Sequence, residues 1–284
     1  MNTSCKFNPN HSFMALLLAP LLVPSAVLAG APENAPQTDW NISLGAGAIY
    51  APAFVGSKDY QLMAFPDLKV EYKDLFFASV AEGLGYNIVH ENGWRAGVIA
   101  KYGFERKQNG KNPFAIAGDD TNALRGLGNV DGTLELGGFL EYSFEPISYK
   151  VELRQGVGGH EGFIGETSLN YIGSIDRFGP PMFYAIGPRA VFASSNYNNT
   201  YYGIDALQSA NSGLNRYHAD AGWASYGIGG FISLPVSSSV SLSAFGGYDR
   251  LGDEIASSPL IKKRGSKNQF ASGLSVSYQF GYSR

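Results

Sequence analysis

Strict alternation of apolar and polar residues recurs along this chain in segments of about ten residues, and that period confines it to strands with two unlike faces. In Trp94–Phe104, residues Trp94, Ala96, Val98, Ala100, Tyr102 and Phe104 share one face; Arg95, Gly97, Lys101 and Gly103 share the other. In 62–72, Leu62, Ala64, Leu68, Val70 and Tyr72 oppose Asp67, Lys69 and Glu71. Tyr149, Val151 and Leu153 alternate with Lys150, Glu152 and Arg154, and Leu134, Leu136, Leu140 and Tyr142 oppose Glu135 and Glu141. Near the C-terminus, Leu274, Val276, Tyr278 and Phe280 oppose glycine, serines and glutamine. About ten residues suit a tilted strand crossing a bilayer. Aromatic residues recur at the ends of the apolar faces: Trp40, Tyr50, Tyr72, Trp94, Phe104, Tyr142, Phe192, Tyr248 and Phe280. Amphipathic rings collect at lipid–water boundaries, so these read as two girdles. A soluble β-sandwich would turn the apolar face inward. Here the opposite face carries charges of both signs and many glycines, which suits a narrow hydrated lumen.

The fold expected is therefore all-β, an antiparallel transmembrane β-barrel of about twelve strands (ten to fourteen), with long extracellular loops and short periplasmic turns. Loops 105–130, 194–219 and 251–268 fall outside. Alternation is poor over 75–93, where Glu82-Gly83 offers a tight turn between two short strands, about 75–81 and 84–90. Lys69, Glu71, Arg95, Lys101, Glu135, Glu141, Lys150, Glu152, Arg154 and Arg189 are expected to line the lumen. On this reading a charge at Val98 meets lipid. Substitution of Gly97 or Lys150, on the lumen face, is expected to cost less. Phe280 or Tyr282 serves as the aromatic insertion signal.

The N-terminus reads as a Sec signal peptide over 1–29: Lys6, an apolar stretch to Leu28, and small residues before Ala29. Residues 30–38 read as a periplasmic leader and 39–284 as the barrel, placing the protein in a Gram-negative outer membrane. Lipid and lipopolysaccharide are then its immediate partners. The one cysteine, Cys5, precedes the expected cleavage point, leaving no disulfide to hold the fold. A net charge of −3 supplies no basic face for nucleic acid. Mean hydropathy of −0.09 fits a barrel, in which only alternate residues touch lipid.

Chemistry is weakly signalled. His160 and His218 fall in outer loops with Asp119, Asp120, Asp205, Asp220 and Glu161 nearby, a set without the spacing of a hydrolase triad or a metal site. No catalytic residue, metal or cofactor is expected. Whether the lumen charges pair and plug the barrel, or line a narrow pore, is open, and loop 194–219 could fold inward as a constriction.

Loop motifs in fixed order carry a resemblance. They are Tyr50-Ala51-Pro52, Gly56-Ser57, Leu127-Gly128-Asn129-Val130, Gly159-His160-Glu161-Gly162, Tyr197-Asn198-Asn199-Thr200-Tyr201-Tyr202-Gly203-Ile204 and Ser257-Ser258-Pro259-Leu260-Ile261. From about residue 40 to 280 the chain resembles the MipA/OmpV family of MltA-interacting outer-membrane proteins. The resemblance implies a non-catalytic scaffold that brings a lytic transglycosylase together with a penicillin-binding protein in peptidoglycan growth. Other members resemble adhesins or routes for antibiotic uptake. The motif residues it singles out are His160, Tyr197, Tyr201, Tyr202, Gly203, Ser258 and Pro259.

Overall fold

The structure, a computed structural model, describes residues 39–118, 120–176 and 181–283. The expected signal peptide and leader lie outside the described residues. The strands are β1 (Trp40–Pro52), β2 (Tyr60–Tyr72), β3 (Phe76–Ser79), β4 (Gly83–Glu91), β5 (Trp94–Gly103), β6 (Ala115–Gly118), β7 (Thr133–Phe144), β8 (Ile147–Val157), β9 (Phe163–Ile175), β10 (Met182–Ala193), β11 (Gly222–Pro235), β12 (Val240–Leu251) and β13 (Asn268–Tyr282). Twelve of them follow one another antiparallel around a wall that closes where β1 pairs with both β2 and β13. Trp40 stands opposite Tyr72 on one side and Tyr282 on the other, which puts both ends of the barrel at the short-turn rim. The thirteenth, β6, was not foreseen; it rises within loop 105–130 and pairs with the outer end of β2.

Closure leaves no sheet edge along most of the wall, the condition for strands in lipid. The alternation sorts as the sequence implies. Val98 is 52% exposed on the outer surface while its neighbour Ile99 is 3% exposed inside. Both girdles form from ring pairs, most of them across neighbouring strands. At the turn rim lie Trp40–Tyr72 (4.6 Å), Trp94–Tyr142 (4.3 Å) and Tyr171–Tyr184 (6.2 Å). At the loop rim lie Tyr50–Tyr60 (5.1 Å), Tyr102–Phe104 (4.6 Å) and Phe192–Trp223 (5.9 Å).

Two details differ from the sequence expectation. Loops 194–219 and 251–268 carry helices: α1 (Ser195–Tyr202), α2 (Ala206–Ser212), α3 (Asp253–Ala256) and α4 (Pro259–Arg264). Gly97 is not a tolerant lumen position. In its pairing with β4 the Tyr86 carbonyl lies against it, and a Cβ there would stand 1.9 Å from that oxygen.

Candidate functional site

The lumen is the place where the chain concentrates its charge. Strands β5, β7, β8 and β9 lie side by side, and their inward positions bring Lys101, Glu135, Glu152, Arg154 and Glu166 together. Arg154, 3% exposed, donates to Glu135 Oε2 at 2.7 Å and also bonds Glu152 and Glu166. Lys101 Nζ lies 2.6 Å from Glu152 and 3.8 Å from Glu166, and Lys150 Nζ lies 3.4 Å from Glu152. Toward the turn rim a second group forms. Lys69 reaches Glu71 (2.8 Å) and Glu82 (3.7 Å), and Arg95 reaches Glu82 (3.7 Å) and Glu141 (3.4 Å). The Arg95 guanidinium also stacks over Phe77, 4.4 Å from the ring centre, and over Phe139 at 5.0 Å. Arg189 on β10, the strand next to β9, makes a fork with Asp249 on β12. All ten residues expected to line the lumen thus engage a charged partner, and opposite charges meet instead of facing an open channel.

The outer mouth carries a folded cap with its own apolar core. Tyr201, Tyr202 and Ile204 pack with Leu124, Leu127, Leu214, Ile255, Leu260 and Ile261 above Ile164, Val191 and Leu251 of the wall. The hydrogen bonds that seal it come from the motif residues. The Ser258 hydroxyl donates to the Tyr202 carbonyl at 2.7 Å and accepts from Leu260 N–H, so one residue caps α4 and ties it to α1. The Tyr202 hydroxyl donates to Val55 O at 3.2 Å. Asn199 spans both ways: its amide donates to Ala219 O and its carbonyl oxygen accepts from Ala219 N–H. Gly203 passes so close to the Asn199 carbonyl that a Cβ would lie 2.6 Å from it. α2 holds a capping box between Asp205 and Gln208 and ends at Gly213 in the left-handed region, φ 72°.

His160 is not an outer-rim side chain. It is buried beneath the cap, where its Nε2 lies 3.1 Å from Glu135 and its ring meets Tyr197 edge-on at 4.9 Å. The expected rim acids are not its partners. His218 and Asp220 stand exposed and 3.9 Å apart, while Asp205 is spent on its helix cap. Asp119 lies outside the described residues. Burial raises the phenols of Tyr197, Tyr201 and Tyr202; Tyr201, also beside Arg106, which pulls the other way, reaches about 12. Arg106 donates to Tyr201 O at 2.6 Å, and burial draws its guanidinium below its ordinary value.

Glu82, Glu166 and Asp249 were missed in the sequence. Glu166 could have been found, because Ile164, Glu166, Ser168 and Asn170 recur at period two. That face lacks the apolar contrast that marks the others. Glu82 sits at a hairpin tip, where no period exists.

A closed barrel with a lipid-compatible exterior between two aromatic girdles, and a charged interior, defines an integral β-barrel membrane protein. Comparison with known proteins narrows this. Residues 44–280 match the family described as MltA-interacting protein MipA, and the chain belongs to that family. It is 27% identical over 163 residues to outer membrane protein OmpV of Vibrio cholerae, covering 57% of this chain and 60% of that one. It is 32% identical over 114 residues to the putative outer membrane protein YiaT of Escherichia coli K12, covering 40% of this chain and 44% of that one. The matched part therefore spans less than two thirds of either relative. Among solved structures it is similar to the COG4313 outer membrane channel from Pseudomonas putida F1. That match has a TM-score of 0.46 and 12% identity over 88% of this chain and 99% of the other. The protein is an outer-membrane β-barrel.

Proposed function

We propose that the protein is a non-catalytic scaffold of the outer membrane whose periplasmic rim engages peptidoglycan enzymes, a lytic transglycosylase and a penicillin-binding synthase. The observation that carries this reading is the filled lumen: Arg154 sits among three carboxylates beneath a cap with an apolar core. A barrel so occupied is poorly suited to conduct solutes, and its charges are satisfied by one another instead of poised for chemistry. What remains for function is surface. Among the described residues the periplasmic surface consists of short turns such as Asn92-Gly93, Glu145-Pro146 and Val236–Ser239, and on this proposal the leader expected over 30–38 adds to them. Turns alone offer much less than the roughly 800 Å² per partner of a standard interface, so contact is weak and multi-point.

The test is capture of a purified lytic transglycosylase by the full-length protein in detergent. Substitutions in the 236–239 turn, or removal of residues 31–37, weaken capture while the barrel stays heat-modifiable. Leu207→Asp, on the exposed face of α2, leaves capture unchanged. Turn and leader variants that capture as well as wild type, together with discrete conductance steps in planar bilayers, would replace the scaffold with a pore.

A further inference from the structure

The wall has a window at the depth of the outer leaflet. β3 is only four residues long and β4 nine, against thirteen in β2, so their hairpin turns back at 80–82 well below the loop rim. On the β2 side, Val80 N–H donates to Leu68 O, and Ala64 N–H donates to Phe114 O at the base of β6. Even-numbered residues of β2 therefore present their backbone groups here. The one between these two bonds is Pro66, which has no N–H to leave unpaired in lipid. On the other side, β5 pairs with β4 only as far as Ala100, leaving Lys101–Gly103 without a strand neighbour on that flank among the described residues. β6 takes the place beside β2 that β3 vacates, so one strand position stands empty between β6 and β5. Two interstrand spacings make that opening about 10 Å between backbones.

The surroundings are amphipathic in the right order. Val80 (42% exposed), Leu84 (50%) and Ile116 (62%) border the opening with much of their surface uncovered, and Tyr102 (52%) stands on its β5 edge with its ring packed on Phe104 and its hydroxyl against Gly132. Above it lies a cavity of about 500 Å³ lined by Ala115, Ile116, Gln61, Asn112, Lys107 and Lys111. Tyr60 and Tyr102 belong to the outer girdle, so the opening stands among acyl chains; Lys111 is exposed on the loop that leads into β6, next to Asn112, whose amide donates to Met63 Sδ. Glu105 holds Lys107 at 2.9 Å, and Asp120 also borders the cavity, so Lys111 is the better placed cation for an incoming anion.

From this geometry we infer a lipid-binding site: an acyl chain of a phosphorylated outer-leaflet lipid seats in the vacant strand position, with its phosphate at Lys111. The chain fills the gap that the short hairpin leaves, and the cation fixes its head above the girdle. This inference is independent of the scaffold reading, since it concerns the opposite half of the wall.

Native mass spectrometry of the full-length protein in mild detergent, titrated with bis-phosphorylated lipid A, tests it. Wild type retains one lipid. Lys111→Gln binds about fivefold more weakly, the equivalent of about 1 kcal/mol for one cation at an anionic headgroup. Ile116→Asp loses the retained lipid although Lys111 is intact, and Lys262→Gln with Lys263→Gln on α4, exposed cations away from the window, changes nothing. Heat-modifiability confirms that each variant is folded. The site is refuted if Ile116→Asp binds as well as wild type, or if the α4 variant loses as much lipid as Lys111→Gln. Equal binding of dephosphorylated lipid A would refute the phosphate contact.

Discussion

Removing Arg154 is the sharpest test of a lumen held by paired charge. The side chain is 3% exposed and bonds Glu135, Glu152 and Glu166 at once. Arg154→Met keeps the volume and removes the charge. Lys101 and Lys150 remain beside Glu152, and Lys101 beside Glu166, but Glu135 is left with His160 alone among the partners described above. Breaking a buried pair by deleting one partner costs about 3–5 kcal/mol, because the other charge stays buried without compensation. A surface pair of the same chemistry supplies the reference: Lys73 and Asp39 lie 3.6 Å apart at the turn rim with side chains 50% and 36% exposed. Exposed pairs contribute about 0–1 kcal/mol. Equilibrium urea unfolding of barrels reconstituted in liposomes, followed by the heat-modifiable band shift, measures both. Arg154→Met should lose several times more stability than Lys73→Met. Adding Glu166→Gln should recover part of the loss, since neighbours in one network couple by about 0.5–3 kcal/mol. If Arg154→Met costs no more than Lys73→Met, the lumen is wet enough to screen its charges. The filled-lumen argument then fails, and with it the main support for a scaffold.

Val98→Arg places a charge on the lipid face near the middle of β5 and should cost about 2–4 kcal/mol in the same assay, if that site lies at the midplane. Gly97→Ala, a change of one methyl, should be destabilising as well, because the new Cβ meets the Tyr86 carbonyl; a neutral result would mean that β4 relaxes away. The cap should also loosen in alkali. Tyr201 has its phenol raised from 10.0 to about 12, chiefly by burial, so the folded cap holds the proton more tightly than the open chain. That contribution is whole below pH 10 and is lost as pH rises through about 12. Tyrosinate absorbance should therefore lag behind free tyrosine until the cap opens, and coincidence with free tyrosine would show the three phenols to be solvated.

Much of the wall was legible because lipid on one side and charge on the other impose a period of two on every long strand. β5 matches the alternating run Trp94–Phe104 to within a residue, and β8 takes in the alternating residues 149–154. Direction was legible because turns and loops differ in length. The cap was not. Tyr197, Tyr201 and Tyr202 sit at helical spacing, but the segment is short, polar and rich in asparagine. Its helix is held by Ser258, Val55 and Arg106 from distant loops, not by local preference. His160 shows the same limit. Its setting between glycines reads as a turn, and only the pairing of β7 with β8 brings Glu135 beneath it. Charge pairing across the lumen follows from strand order and register, which the chain fixes collectively.

The stretch where alternation failed is informative for a physical reason. Residues 75–93 do form two rows in the structure, with Leu84, Tyr86 and Ile88 outside and Phe77, Gly85 and Asn87 inside. Each row is short, these inward residues carry no charge, and the register shifts between Asn87 and Val89, so the period is hard to read in the sequence. Phe76–Ser79 reach only the turn-rim third of β2, and the tip at 80–82 points Glu82 inward to Lys69 and Arg95 instead of continuing upward. A longer hairpin would have needed two more rows of alternating residues and would have filled the wall. The chain instead spends residues 105–118 to lay β6 over part of the opening and stations Pro66 on the edge that stays uncovered. A proline that removes the donor, a borrowed strand above and apolar side chains around the opening all act on the same strand position. Their agreement separates a designed aperture from a strand that merely ended early, and it makes Ile116→Asp the substitution on which the lipid site stands or falls.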